Sequence, residues 1–150
     1  MKITDTISLV LKRKSPYTIL SIGPDETVYN ALTMMAKHDV GALLVLDGQK
    51  LVGILSERDY ARKVILTGHH SKETAVKEIM TAPATAVTPQ NTVDECMTLM
   101  TDHHFRHLPV VENGAVVGIV SIGDLVKWVI SGQEQAIQEL EGYIRGAYPA

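Results

Sequence analysis

The sequence predicts an α/β (α+β) module made of two βαββα repeats related by a pseudo-two-fold axis, with a helix flanking each end. Three observations carry this. Residues 24–65 align with residues 89–130 without a gap, and 15 of those 42 positions are identical. Within each copy a stretch of helical periodicity gives way to two short apolar strands. A turn signal divides those strands in each copy, Asp47-Gly48 in one and Asn113-Gly114 in the other.

The elements follow in order. Residues 3–12 are predicted to form a helix with Ile3, Ile7, Val10 and Leu11 on one face. Short lead-in strands are expected near Thr18–Ile22 and Pro83–Val87. Thr27 is a helix N-cap, and Val28, Ala31, Leu32 and Met35 form the apolar stripe behind it. In the second copy Thr92 caps, Glu95 completes a capping box, and Val93, Cys96, Met97 and Met100 form the stripe. Strands are predicted at Ala42–Leu46 and Leu51–Leu55, and at His107–Val111 and Val116–Val120. A second helix then runs from Ser56 to about Leu66, with Gly68 as its stop, and from Ser121 to about Ile130, with Gly132 as its stop. A last helix is expected over 133–145, with Ala136, Ile137, Leu140, Tyr143 and Ile144 on one face. The organisation is therefore 1–17 N-terminal helix and lead-in, 18–75 first repeat, 76–132 second repeat, and 133–150 C-terminal helix and tail. One copy of about sixty residues buries little core alone, so the two are expected to pack together and leave clefts between them.

Composition narrows the function. Net charge is −3 with mixed signs, so no basic field points to nucleic acid or a membrane surface. One Trp and one Phe are too few for a base-stacking platform. The single cysteine, Cys96, cannot form an internal disulfide and fits a reducing compartment. No segment reads as a signal peptide or membrane span, and a cytoplasmic protein is expected.

The sharpest local signal is Gly53-Ile-Leu-Ser56-Glu-Arg-Asp59, echoed by Gly118-Ile-Val-Ser121-Ile-Gly-Asp124. A strand ends, and a Ser and an Asp three residues apart begin a helix. Capping alone explains this pairing: Ser at the N-cap and Asp at N3 satisfy free backbone N–H groups and favour the helix dipole. The same groups suit a ligand. Backbone N–H groups and a hydroxyl can meet a phosphate, a carboxylate can take both hydroxyls of a ribose, and glycine permits close approach.

This pattern, G-h-h-S-x-x-D after an apolar strand and an x-P-x-x-T-V helix start, resembles the cystathionine-β-synthase (CBS) domain. Such domains occur as tandem pairs called Bateman modules, and the resemblance spans about residues 10–130. The runs Gly41-Ala-Leu-Leu-Val45 and Ser56-Glu-Arg-Asp-Tyr-Ala-Arg-Lys-Val64 are similar to stand-alone CBS pairs. The resemblance implies two CBS-type repeats forming a regulatory module that binds an adenine nucleotide in one or both clefts. AMP is the foremost candidate, with ATP or NAD(H) as alternatives. It implies Asp59 and Asp124 as ribose anchors with Ser56 and Ser121 as hydroxyl partners. It also implies that Thr18–Leu20 and Pro83–Thr85, hence Thr18, Leu20, Pro83 and Thr85, line the adenine pockets. No catalytic cofactor is implied.

The copies differ in cations. Arg106 and His107 precede Leu108-Pro109 in the second copy, where the first has Gly41 and Ala42; Arg58 lies in the first motif, where the second has Gly123. In a pseudo-symmetric pair Arg58, Arg106 and His107 can serve one ligand, so the sites are expected to be unequal, with the Asp124 site the better equipped. For the arginines the alternative is a surface ion pair; for His107 it is a half-buried strand residue. His103, His104 and His107 lack the spacing of a metal site, and none is expected. Cys96 sits on an apolar stripe and reads as core. Lys12-Arg13-Lys14 reads as solvated surface, able to approach a phosphate. An enzyme is not expected, since no phosphate loop, nucleophile elbow or metal cluster is present. The competing reading is a structural module with degenerate sites. It would form a homodimer through the exposed faces of the helices starting at Ser56 and Ser121 and the terminal helices. A regulated partner protein is expected but not identifiable from the sequence.

Overall fold

The computed structural model describes residues 3–15 and 18–144. It is a mixed α and β structure in which the two repeats appear as related halves. The first half contains β1 (Ser21–Ile22), α2 (Val28–His38), β2 (Ala42–Asp47), β3 (Lys50–Ser56) and α3 (Glu57–Tyr60), which continues as a π-helical stretch over Ala61–Ile65. The second contains α5 (Val93–His103), β4 (His107–Glu112), β5 (Ala115–Ser121) and α6 (Ile122–Ile144). A helix α1 (Ile7–Lys14) precedes the first half, and a short helix α4 (Val76–Ile79), not anticipated from the sequence, joins the halves.

Local chemistry explains the elements. The Thr27 hydroxyl accepts from the Asn30 N–H, and Thr92 and Glu95 form the predicted capping box. The stripes bury Val28, Ala31 and Met35 in α2 and Val93, Cys96 and Met100 in α5. β2 pairs antiparallel with β3, and β4 with β5. The register shifts after Val45 in one hairpin and after Val110 in the other, so even the irregularity is duplicated.

Three expectations are corrected. Asp47 closes β2 by pairing with Lys50, so the first turn is centred on Gly48-Gln49, with Gly48 at φ 62°. The second turn is Asn113-Gly114 as expected, both at positive φ. The strand expected at Pro83–Val87 reduces to one parallel bridge, Val87 to Val110, and Pro83 has no N–H to donate to a ladder. Gly132 does not end a helix. The chain runs through it, and the two helices expected around it form the single 23-residue α6. A mid-helix glycine costs about 1 kcal/mol, which continuous backbone hydrogen bonding on both sides tolerates. The side chains of Tyr143 and Ile144, assigned to the last stripe, lie outside the described residues.

The two cores are not each built from one repeat. The first gathers Ile22, Val28, Ala31, Met35, Leu43, Val45, Leu55 and Val64 with Val76 and Ile79 of α4. The second gathers Val87, Val93, Cys96, Met100, Leu108, Val110, Val120 and Leu125 with Ile7 and Val10 of α1. Each lead-in helix therefore packs on the other repeat, and the backbone attachments match. The Val76 N–H donates to Glu26 and Lys77 to Pro24, while Ile7 donates to Asn91 and Ser8 to Pro89. Glu26 and Pro24 are the repeat partners of Asn91 and Pro89.

Gly53 shows how tightly this exchange closes. A Cβ there would lie 2.7 Å from Met80 Sδ and 2.9 Å from the Thr81 carbonyl oxygen. Ile54 and Thr81 exchange backbone hydrogen bonds of 2.9 and 3.1 Å beside it. Gly53→Ala is expected to cost about 1–3 kcal/mol through overpacking, read as a lower urea midpoint with unchanged slope. A stability within 0.5 kcal/mol of the parent, about the range of a surface substitution, would contradict this packing.

Candidate functional site

Ser56 and Asp59 form the capping arrangement that their spacing predicts. The Ser56 N–H donates to Asp59 Oδ2 at 3.0 Å, and the Asp59 N–H donates to Ser56 Oγ at 3.2 Å. The second copy repeats it, with Ser121 N–H to Asp124 Oδ2 at 2.8 Å and Asp124 N–H to Ser121 Oγ at 3.1 Å. Capping occupies one carboxylate oxygen of Asp59 and leaves the other for different partners. Asp59 Oδ1 accepts from the Thr81 hydroxyl at 3.1 Å and pairs with the Lys63 ammonium at 3.1 Å. The Asp59 side chain is only 11% exposed, so these contacts satisfy a carboxylate that water scarcely reaches.

Asp59 lies in a cleft of about 710 Å³ between the repeats. The first repeat contributes Gly41, Ile54 and residues 56–59 with Arg62 and Lys63; the second contributes residues 103–107. Thr81 forms part of the wall. Four cationic side chains thus border one cavity: Arg58, Arg62, Lys63 and Arg106. The Arg58 guanidinium spans the repeats and donates to the His104 carbonyl at 3.0 Å, at the C-terminal end of α5 where a cation suits the helix dipole.

Asp124 lies in a smaller cleft of about 410 Å³, lined by Val10, Arg13, Lys14, Lys127, Trp128, Ile130 and Ser131. The Lys14 ammonium donates to Asp124 Oδ2 and to the Ile119 carbonyl, both at 2.9 Å. Arg13 stacks over the Trp128 ring at 4.2 Å, and the Trp128 indole N–H donates to Asp5 at 2.8 Å. Burial pushes the Asp124 carboxyl up, but the Ser121 N–H, Lys14 and the Ser121 hydroxyl together outweigh it and hold it below the usual range.

The clefts are unequal, as the sequence suggests, but in the opposite sense. Arg106 and His107 line the Asp59 cleft together with Ser56 and Arg58. The reason is the pseudo-symmetry: the start of β4 faces the other repeat's motif, so Arg106 and His107 of copy two border the cleft that holds the carboxylate of copy one. Thr18, Leu20, Pro83 and Thr85 do not line either cleft. Leu20 instead packs on the first core and its carbonyl accepts from Leu44. Several lining residues escaped the sequence reading. Lys63 was legible as the i,i+4 partner of Asp59. Thr81 and the contact of Lys14 with Asp124 were not, because they depend on the exchange of lead-ins.

His107 is half-buried beside both acidic sites. Burial lowers its pKa, Asp124 opposes this, and Lys14 and Arg106 reinforce it. The folded imidazole therefore resists a proton that the unfolded chain accepts below about pH 6.5. The contribution is present above that pH and is lost as pH falls through the folded pKa. Stability is expected to fall between pH 7 and pH 5.5, and His107→Gln should flatten that fall in urea titrations at the two pH values. Equal slopes would contradict the assignment. Burial, followed by Glu95, pushes the Cys96 thiol up to about 11, so it is core and not a nucleophile. Among the described residues, no group of three or more His, Cys, Asp or Glu is placed to hold a metal ion.

Comparison with known proteins agrees with the duplicated fold. The CBS domain model matches residues 15–66 and 76–131. The CBS domain-containing protein CBSX3, mitochondrial, of Arabidopsis thaliana is 43% identical over 95% of this chain and 73% of its own. The CBS domain-containing protein YhcV of Bacillus subtilis is 33% identical over 71% of this chain and 76% of its own. A solved CBS-domain protein from Burkholderia ambifaria superposes with a TM-score of 0.82 at 50% identity, covering 85% of this chain and 96% of that one. The chain belongs to the CBS-domain family, as a tandem pair of CBS repeats.

Proposed function

We propose that this CBS pair is a regulatory module that binds an adenine nucleotide in the Asp59 cleft. The observation that carries the reading is the division of labour on Asp59. One carboxylate oxygen caps α3; the other faces a cavity bordered by Arg58, Arg62, Lys63 and Arg106. A ribose would replace the Thr81 hydroxyl and the exposed Lys63 on that oxygen, and the phosphates would run toward the arginines. AMP, ATP and NAD(H) all satisfy this chemistry. The ligand regulates only if it prefers one shape or assembly of the module over another. No catalysis is proposed. Titrating the protein with AMP, ATP and NADH in a calorimeter tests the reading. A hundredfold excess over Kd would also add about 2.7 kcal/mol to stability. Absence of both heat and a melting shift at millimolar ligand would refute it.

A second reading has an observation of its own. Val126, Ile130, Ile137 and Leu140 are exposed apolar residues on α6, at spacings of four, seven and three, with Gln133 completing a heptad seam. Among the described residues, almost all of α6 beyond Ser131 is exposed. This favours self-association through α6. A hexameric CBS-CP12 protein at 29% identity is an assembled relative. Leu140→Glu should shift light scattering toward monomer by weakening a dimer at least tenfold; an unchanged mass would remove this reading.

A further inference from the structure

The two acidic sites are equivalent by repeat, so the difference in what sits on them is informative. At Asp59 the neighbours from outside the motif are Thr81, held by its backbone to Ile54, and Lys63 from the adjoining helical turn. At Asp124 the corresponding neighbour is Lys14, which touches Ile119, the repeat partner of Ile54. The position of Lys63 is taken by Trp128. The counter-charge is kept in both copies, but its tether has moved. In the first copy it hangs from the same helical segment; in the second it hangs from the N-terminal helix.

That change of tether alters how easily the carboxylate is freed. Lys63 also donates to the Ile79 carbonyl at 2.9 Å, but its side chain is 45% exposed against 28% for Lys14, so it is the nearer of the two to solvent. Lys14 ends a helix fixed by the buried side chains of Ile7 and Val10 and by bonds from Ile7 and Ser8 to the second repeat. Arg13, on Trp128, closes the space beside it. The remaining cavity is about 410 Å³, against about 710 Å³ at Asp59. A sugar hydroxyl reaching either carboxylate must displace an ammonium that also holds a carbonyl, and at Asp124 that ammonium is the less exposed and the space beside it the smaller.

We propose that Lys14 is a built-in occupant of the Asp124 cleft and restricts the module to one nucleotide per chain. The proposal rests on the nucleotide reading of the clefts. Lys14 is thereby the residue that selects which cleft is open. Displacing it would also free the C-terminal end of α1, so a ligand at Asp124 would loosen the N-terminal helix where a ligand at Asp59 does not.

The test is the stoichiometry of AMP and ATP binding by calorimetry for the parent, Lys14→Met and Lys14→Arg. Lys14→Met keeps the stem and removes the charge, and Lys14→Gln replaces it if the Met variant does not fold. The expected result is one nucleotide per chain for the parent and for Lys14→Arg, and two for Lys14→Met. Binding by Lys14→Met alone would also support the occupant role, while removing the Asp59 cleft from the function. Two nucleotides on the parent, or one on both parent and Lys14→Met, would overturn the proposal and leave the nucleotide reading standing. No binding to any variant would overturn both.

Discussion

Asp59→Ala is expected to weaken nucleotide binding on the order of a hundredfold, and Asp124→Ala to leave the tight site almost unchanged. Two ribose hydroxyls donating to a carboxylate make two charge-assisted hydrogen bonds, at about 1.5 kcal/mol each or somewhat more. Their loss, about 3 kcal/mol, is on the order of a hundredfold in Kd. The substitution has a second effect, because Asp59 also receives the Ser56 N–H in the capping box. Losing that cap costs about 1 kcal/mol of stability. Affinity must therefore be measured well below the melting transition. Asp124 makes the same cap and lies in the smaller cleft beneath the less exposed Lys14, so its removal should appear as lost stability rather than lost affinity. Calorimetry of the two variants separates these outcomes. Weaker binding in Asp124→Ala than in Asp59→Ala would place the ligand in the smaller cleft.

Ile7→Ala should destabilise the fold by about 2–5 kcal/mol, the cost of emptying a buried aliphatic site. By sequence, Ile7 belongs to a terminal flank, where truncation is ordinarily cheap. In the structure it is fully buried in the second core with Val93, Cys96 and Leu108. Its backbone N–H is also bonded to Asn91 at 2.8 Å. The Asp59 cleft borrows nothing from α1. Nucleotide affinity should therefore survive in folded Ile7→Ala while the urea midpoint drops. A change below 0.5 kcal/mol, the usual size of a surface effect, would show that α1 is an appendage.

These two expectations mark where the sequence was sufficient and where it was not. Helix starts at Thr27 and Thr92, the paired hairpins, and the Ser/Asp caps follow from local chemistry, and all are present. So is the inequality of the two clefts, which needed only Arg106 against Gly41. Which cleft is richer depends on the relation between repeats. A one-dimensional comparison assigns Arg106 and His107 to their own copy's carboxylate; the fold places both on the Asp59 cleft, with His107 also close enough to feel Asp124. The lead-in exchange has the same origin. Residues 74–79 and 5–10 share too few identities to announce that they are equivalent. Their equivalence lies in backbone bonds to Glu26, Pro24, Asn91 and Pro89. Gly132 misled for a different reason: glycine is a helix stop only where the chain turns, and here α6 carries straight on.

The central claim is that the Asp59 cleft is the nucleotide site, and a crystal structure grown with millimolar AMP or ATP tests it most directly. The expected density places the ribose hydroxyls on Asp59 Oδ1 and the phosphates toward Arg58, Arg62 and Arg106, with Lys14 still on Asp124. A nucleotide bound at Asp124 with Lys14 displaced, beside an empty Asp59 cleft, would contradict the account.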